Sequence, residues 1–219
     1  NASPPAILGE LLSAGFGAQG MLWATSPALT ELEMVVLDWL VELCGLPERY
    51  RSIGGGPGGG VIQDSASSAT LCALLAARER AGGVAALERL VAYASDQSHS
   101  SVEKGARIAG IRHLRAVPSD HRFAMRADAL ADAMAADVAA GLVPCFVVAT
   151  VGTTSSGAVD PVEAIADIAA AHGAWVHVDA AYAGSAAVCP EHRPELLAGV
   201  DRVDSYVFNP HEWLLTNFD

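Results

Sequence analysis

Lysine is all but missing from this 219-residue chain: one, Lys104, stands against twelve arginines, so any chemistry that needs a lysine amine has a single candidate. Basic charge as a whole is scarce, with 13 Lys+Arg against 25 Asp+Glu and a formal net charge of -12. Phosphate backbones are gripped by clustered cations and these arginines are scattered, so no nucleic-acid partner is expected. Cysteine is sparse too. Cys44, Cys72, Cys145 and Cys189 lie far apart and form no Cys-x-x-Cys pair, which argues against a zinc ribbon or a disulfide scaffold. They are expected to be small apolar core residues of a reducing, cytoplasmic setting. Long apolar runs are lacking as well: the stretch from Val143 to Val151 is broken by Pro144 and Thr150. It falls short of the roughly 20 residues of a spanning helix, so no membrane partner is expected.

What remains is a chain that is 52% hydrophobic and 17% charged, able to bury a sizeable core and unlike a disordered polymer. Its apolar periodicity alternates between helical and extended. Helices are predicted over Ser26–Leu43, Ser65–Arg80, Ser100–Ile108, Arg126–Ala140 and Pro161–His172. Strands are predicted at Leu90–Ala94, Ile111–Ala116, Cys145–Thr150, Trp175–Val178 and Tyr206–Phe208. In the first helix Leu29, Leu32, Val36, Trp39, Leu40 and Leu43 form one apolar stripe behind a Ser26 cap and Pro27. The fold class is therefore α/β, a mostly parallel sheet flanked by helices. Ligands of such sheets bind beyond the carboxyl ends of the strands, which nominates Ser95–His99, Thr150–Thr154, Asp179–Tyr182 and Asn209–Glu212 as site-forming loops.

Three constellations fall on those loops or beside them. Gln63-Asp64-Ser65-Ala66-Ser67 is read as closing a short strand and opening a helix, which would present N–H groups and two hydroxyls to an anion such as phosphate; an ordinary Ser cap is the alternative. The glycine run 54–60 before it fits no dinucleotide fingerprint and is expected to be a mobile loop. His177-Val178-Asp179 puts a carboxylate at the end of an apolar strand, where burial demands a partner: a cationic ring nitrogen, or simply the N–H groups of the next turn. No third ligand stands at metal spacing, so no metal is expected. His99, just past a strand and at a helix start, is either a cap or a site residue.

Taken together these segments resemble one family. Trp23 to Ala28 with Thr30-Glu31-Leu32-Glu33, Gly60 to Gln63, Ser65-Ala66-Ser67, Ser95-Asp96-Gln97 with His99-Ser100-Ser101, Ala149-Thr150 with Gly152-Thr153-Thr154, His177 to Ala187, and Asn209-Pro210-His211 with Trp213-Leu214-Leu215 are similar, in order, to the pyridoxal-phosphate-dependent aromatic-L-amino-acid decarboxylases. The resemblance implies the large domain of the fold-type I architecture, pyridoxal 5'-phosphate as cofactor, an L-amino acid substrate, most plausibly aromatic, and a homodimer for the full-length protein. It implies that Ser65, Ala66 and Ser67 hold the cofactor phosphate with Asn209 and His211 nearby. It further implies that His99 stacks on the ring, Thr154 lies beside it, Ala181 lies under it and Asp179 pairs with the pyridine nitrogen. Residues 1–219 would then be a partial cofactor-binding domain, with the family's N-terminal segment and C-terminal small domain outside it.

One position departs from the family. Where the motif reads Asn-Pro-His-Lys-Trp, with the lysine joining the cofactor as a Schiff base, this chain reads Asn209-Pro210-His211-Glu212-Trp213. A carboxylate cannot form that bond. At an assumed ~6 Å from Asp179 and an effective dielectric of ~20, two charges repel by roughly 3 kcal/mol, so Glu212 is expected to take up a proton or turn away. Lys104, five residues beyond His99 on a helix, points in another direction and is expected to be a solvated surface lysine. The leading expectation is a decarboxylase impaired at the covalent step. The alternatives are an inactive homologue that binds the cofactor or serves as a dimerisation partner, and an unrelated nucleotide-binding domain using the glycine run.

Overall fold

The computed structural model of the chain describes residues 2–20, 22–54 and 58–218. Five strands form one parallel sheet in the order β2-β1-β3-β4-β5: β1 Leu90–Ser95, β2 His113–Val117, β3 Val143–Thr150, β4 Trp175–Asp179 and β5 Ser205–Val207. The central strands are continuously apolar because both of their faces are covered, and every residue of β1 is buried. Helices α3 (Ala66–Arg80) and α4 (Ser101–Ile108) lie on one face, where Leu74, Val102, Ala92, Phe146 and Val148 pack together. On the other face α5 (Ala127–Ala139) and α6 (Val162–His172) close over Tyr93, Val147, Val178, Met134 and Ile165. The chain leaves β1 towards β2 on one side and returns to β3 on the other. The strand order therefore reverses between β1 and β3, and a crevice is left between their carboxyl ends.

The predicted strands and helices all form, with ends displaced by a residue or two. The short strand expected before Ser65 does not: residues 58–63 are irregular, and the helix is launched from a loop. The centre of the glycine run, residues 55–57, lies outside the described residues. A helix that the periodicity reading does not propose, α1 (Pro4–Phe16), precedes α2 (Pro27–Cys44). It buries no residue, and Ile7, Leu8, Leu11 and Leu12 are exposed. The apolar stripe of α2 is only partly covered, with Leu32, Trp39 and Leu43 in solvent, while Asp38 on another face of the helix is buried. Asp38 is tolerated there because its two oxygens accept the Ser52 and Ile53 N–H groups at 2.7 and 3.0 Å. Of the four free cysteines, Cys44 and Cys145 are core residues as expected; Cys72 and Cys189 are exposed, Cys72 on the solvent side of α3. Among the described residues no helix is long and apolar enough to cross a membrane.

Candidate active site

β3 and β4 are in register so that Val148 faces His177 and Thr150 faces Asp179. Side chains of one strand alternate between faces, so the pairs Phe146/Trp175, Val148/His177 and Thr150/Asp179 share the α3/α4 side of the sheet. Asp179 is thereby delivered to the carboxyl end of the sheet on the same face as the start of α3 and α4. It is buried, 5% exposed, and its Oδ1 accepts the Ala181 N–H at 3.1 Å. Burial pushes its carboxyl above the usual range, opposed by that hydrogen bond and by the charge of His99, which lies within electrostatic reach. The structure thus joins Asp179 and His99, two residues 80 apart in sequence, at one mouth.

His99 is exposed, its ring turned back on its own segment: Nδ1 lies 2.9 Å from Ser101 Oγ and accepts the Ser101 N–H at 3.2 Å. Ser65 caps α3, its Oγ accepting the Ser68 N–H at 3.3 Å. The N–H groups of Ala66 and Ser67 have no carbonyl of the helix to serve, as at every helix start. The β4 and β5 loops are tied together, because Asn209 N–H donates to the Ala181 carbonyl at 3.1 Å and Ser185 Oγ donates to the Asn209 carbonyl at 3.3 Å. His211 is half-buried, its ring 4.6 Å from that of Phe218. Trp213 meets Tyr182 edge-on at 5.3 Å.

Two nominated residues stand apart from this group. Thr154 lies on the exposed turn 154–156, and among the described residues no hydrogen bond joins its side chain to the other nominated residues. Glu212, on the short helix Pro210–Trp213, is exposed, and among the described residues no hydrogen bond joins its carboxylate to the other nominated residues. Lys104 is exposed on α4, as its spacing predicts. A cavity of about 300 Å³ lined by Ser95, Asp96, Ser98, His99 and Arg115 backs onto His99 from the β2 side and includes neither Asp179 nor Ser65. It is a recess behind the mouth, not the mouth itself.

The structure adds residues that sequence reasoning leaves unassigned. Thr150 is 5% exposed, and its hydroxyl is buried without a hydrogen-bond partner among the described residues, on the same face as Asp179. Only strand register could have paired the two. Asp160 is 2% exposed and clamps two loops, accepting the Thr150 and Met125 N–H groups at 2.7 Å each; burial pushes its carboxyl up to about 6. His177 is 1% exposed and, desolvated, has its pKa lowered to about 4. Gly152 sits at φ +86°, and a Cβ there would stand 2.5 Å from that of Ala183, so the β3 and β4 loops approach closely enough to require glycine.

This arrangement has counterparts among known proteins. The pyridoxal-dependent decarboxylase conserved domain matches residues 1–219. An aromatic-L-amino-acid decarboxylase of Bos taurus is 54% identical over 99% of this chain and 46% of its own length. A phenylacetaldehyde synthase of Arabidopsis thaliana is 52% identical over 100% of the chain and 46% of its own. The crystal structure of Oryza sativa TDC with PLP and tryptamine superposes with a TM-score of 0.96 at 48% identity, over 100% of this chain and 46% of that one. The chain thus spans about half the length of the relatives it matches. A domain match along all 219 residues places the chain in the pyridoxal-dependent decarboxylase family.

Proposed function

We propose that the chain is the cofactor-binding part of a decarboxylase that takes aromatic L-amino acids, and that it holds pyridoxal 5'-phosphate at the mouth formed by β1, β3, β4 and β5. The observation that carries the reading is Asp179, a buried carboxylate whose one hydrogen bond among the described residues comes from Ala181 N–H. A carboxylate so placed is costly unless a cationic donor meets it, and a protonated pyridine nitrogen is such a donor. The donor set also fits at the other end: the open first turn of α3, with the hydroxyls of Ser65 and Ser67, suits a phosphate. The residues that would hold the cofactor are therefore Ser65, Ala66 and Ser67 at the phosphate, helped by Asn209 and His211, with His99, Thr154 and Ala181 at the ring and Asp179 at the nitrogen. When bound, the cofactor supplies an electron sink for the bond broken as carbon dioxide leaves. The chain's own part is to keep Asp179 ionised opposite a positive charge, to fix the ring's position and to restrict water.

Glu212 bears on competence. With no amine at that position and Lys104 in solvent on α4, no described residue of this chain stands at the mouth to bond covalently to the cofactor in the way the family's lysine does. The same residue favours a second reading, an inactive homologue that binds the cofactor noncovalently or pairs with another subunit. The exposed apolar faces of α1 and α2 suit an association of copies, a homodimer in the intact protein. Restoring the lysine by Glu212→Lys in the full-length protein separates the two. The decarboxylase reading expects the variant to gain a borohydride-reducible bond to the cofactor and to release amine from aromatic amino acids. A variant that binds cofactor and still makes no amine would establish the second reading instead.

A further inference from the structure

His177 lies deep below the mouth and touches three of its supports. It stands two residues before Asp179 on β4, and its Nε2 lies 3.4 Å from Thr70 Oγ1 of α3, one turn in from the Ser65–Ser67 segment. Its Nδ1 lies 2.8 Å from Ser205 Oγ at the start of β5, the strand that leads to Asn209 and His211. Ser205 Oγ in turn receives the indole N–H of Trp175 at 2.7 Å. The Trp175 nitrogen can only donate, so Ser205 Oγ accepts from it and keeps both its proton and a second lone pair for His177 Nδ1. Either tautomer of the imidazole can pair with the Thr70 hydroxyl, which donates or accepts as the ring requires. The contacts run from β4 to β5, back to β4 and on to α3. Thr70 is fully buried, and the imidazole stacks on Phe146 with ring centroids 5.9 Å apart, so the ring is held by packing as well as by its hydrogen bonds.

We infer that His177 is a positioning residue which clips α3 to β4 and β5 and so sets the spacing between the phosphate end of the cofactor site and Asp179. The inference rests on the proposed cofactor site. Two halves of that site belong to elements with no covalent connection nearby: the anion end to α3, the nitrogen end to β4. Sliding α3 along the sheet by a fraction of an ångström would leave each half intact and mismatch their separation. Apolar contacts between α3 and the sheet have little direction, and the polar tie of Arg80 to Asp204 grips the far, partly exposed end of α3. The hydrogen bond to Thr70 has direction, and it is protected from water.

The test uses Thr70→Val, which keeps volume and removes the hydroxyl, and Thr70→Ser, which restores it, with binding followed by tryptophan fluorescence in the intact protein. Pyridoxal phosphate spans both halves of the site, whereas pyridoxal engages the ring half alone. The clip predicts that Thr70→Val weakens pyridoxal phosphate up to about tenfold, the loss of one buried hydrogen bond, and changes pyridoxal less than twofold, with Thr70→Ser close to the unmodified protein. Equal weakening of both ligands, or a lower melting temperature with both affinities unchanged, would mean that Thr70 and His177 only hold the core together, and would overturn the inference. If the unmodified protein binds neither ligand, the cofactor reading itself falls, and the clip falls with it.

Discussion

The two faces of the sheet each bury an aspartate, and they treat it in opposite ways. On the α5/α6 face Asp137 receives the Arg115 guanidinium in a two-pronged pair, with Oδ1 2.6 Å from Nη2 and Oδ2 3.0 Å from Nε, and also the Tyr93 hydroxyl at 2.8 Å. The arginine beside it holds its carboxyl below the usual range. On the α3/α4 face Asp179 has a single N–H partner, and burial moves its carboxyl the other way. One carboxylate is a finished structural joint, and the other is buried with a single N–H donor among the described residues. The comparison teaches that burial alone says little about function; what distinguishes the two is whether the protein supplies the counter-charge.

Removing each carboxylate should expose the difference. Asp137→Ala leaves the Tyr93 hydroxyl and Arg115 without their acceptor. Arg115 is partly exposed and can rehydrate, so the loss should be about 2 kcal/mol rather than the larger cost of breaking a wholly buried pair, read by urea unfolding. Asp179→Asn should leave stability without cofactor unchanged or raise it by up to about 1 kcal/mol, since an unpaired buried charge disappears, while cofactor affinity falls tenfold or more. Comparable destabilisation by both variants would erase the distinction between the faces.

Titration sharpens it further, through two groups that oppose each other. Asp160, pushed up to about 6, binds a proton more tightly in the folded state, so its contribution is fully present below the ordinary carboxylate range and is lost as pH rises through about 6. His177, lowered to about 4, binds a proton less tightly when folded, so its contribution is present above the ordinary histidine range and is lost as pH falls through about 4. Between those limits the contributions of these two groups cancel. His177→Phe should uncover stability that declines with rising pH, and Asp160→Asn stability that increases, each by up to about 1.4 kcal/mol per pH unit. The absence of these opposite slopes in the two variants would show that one of the two groups is not buried as described. The smallest effect is expected from Lys104→Ala: less than about 0.5 kcal/mol in stability and no change in cofactor binding.

Much of this was legible in the chain itself, and the exceptions have physical causes. Alternation and capping locate β1, β3, β4 and α3 because those elements are covered on the faces their apolar residues present. The stripe of α2 is equally regular, yet Leu32, Trp39 and Leu43 remain in solvent. Periodicity reports that a face is apolar and is silent about what covers it. The same silence hides α1, whose Leu8, Leu11 and Leu12 repeat at helical spacing without any core to join. Asp179 and His99 could be nominated from strand ends. Thr150 and Asp160 could not, since one depends on the register of β3 against β4 and the other on two loops meeting around a carboxylate.

The close approach of Gly152 to Ala183 has a consequence for motion. The amide of Val151 donates to the Asp179 carbonyl at 2.8 Å, and immediately after it Gly152 presses on the turn that follows Asp179. Neither loop has room to open without displacing the other. Their amide protons should therefore exchange with solvent as one cooperative group, at a common opening free energy, rather than as two independently fraying strand ends.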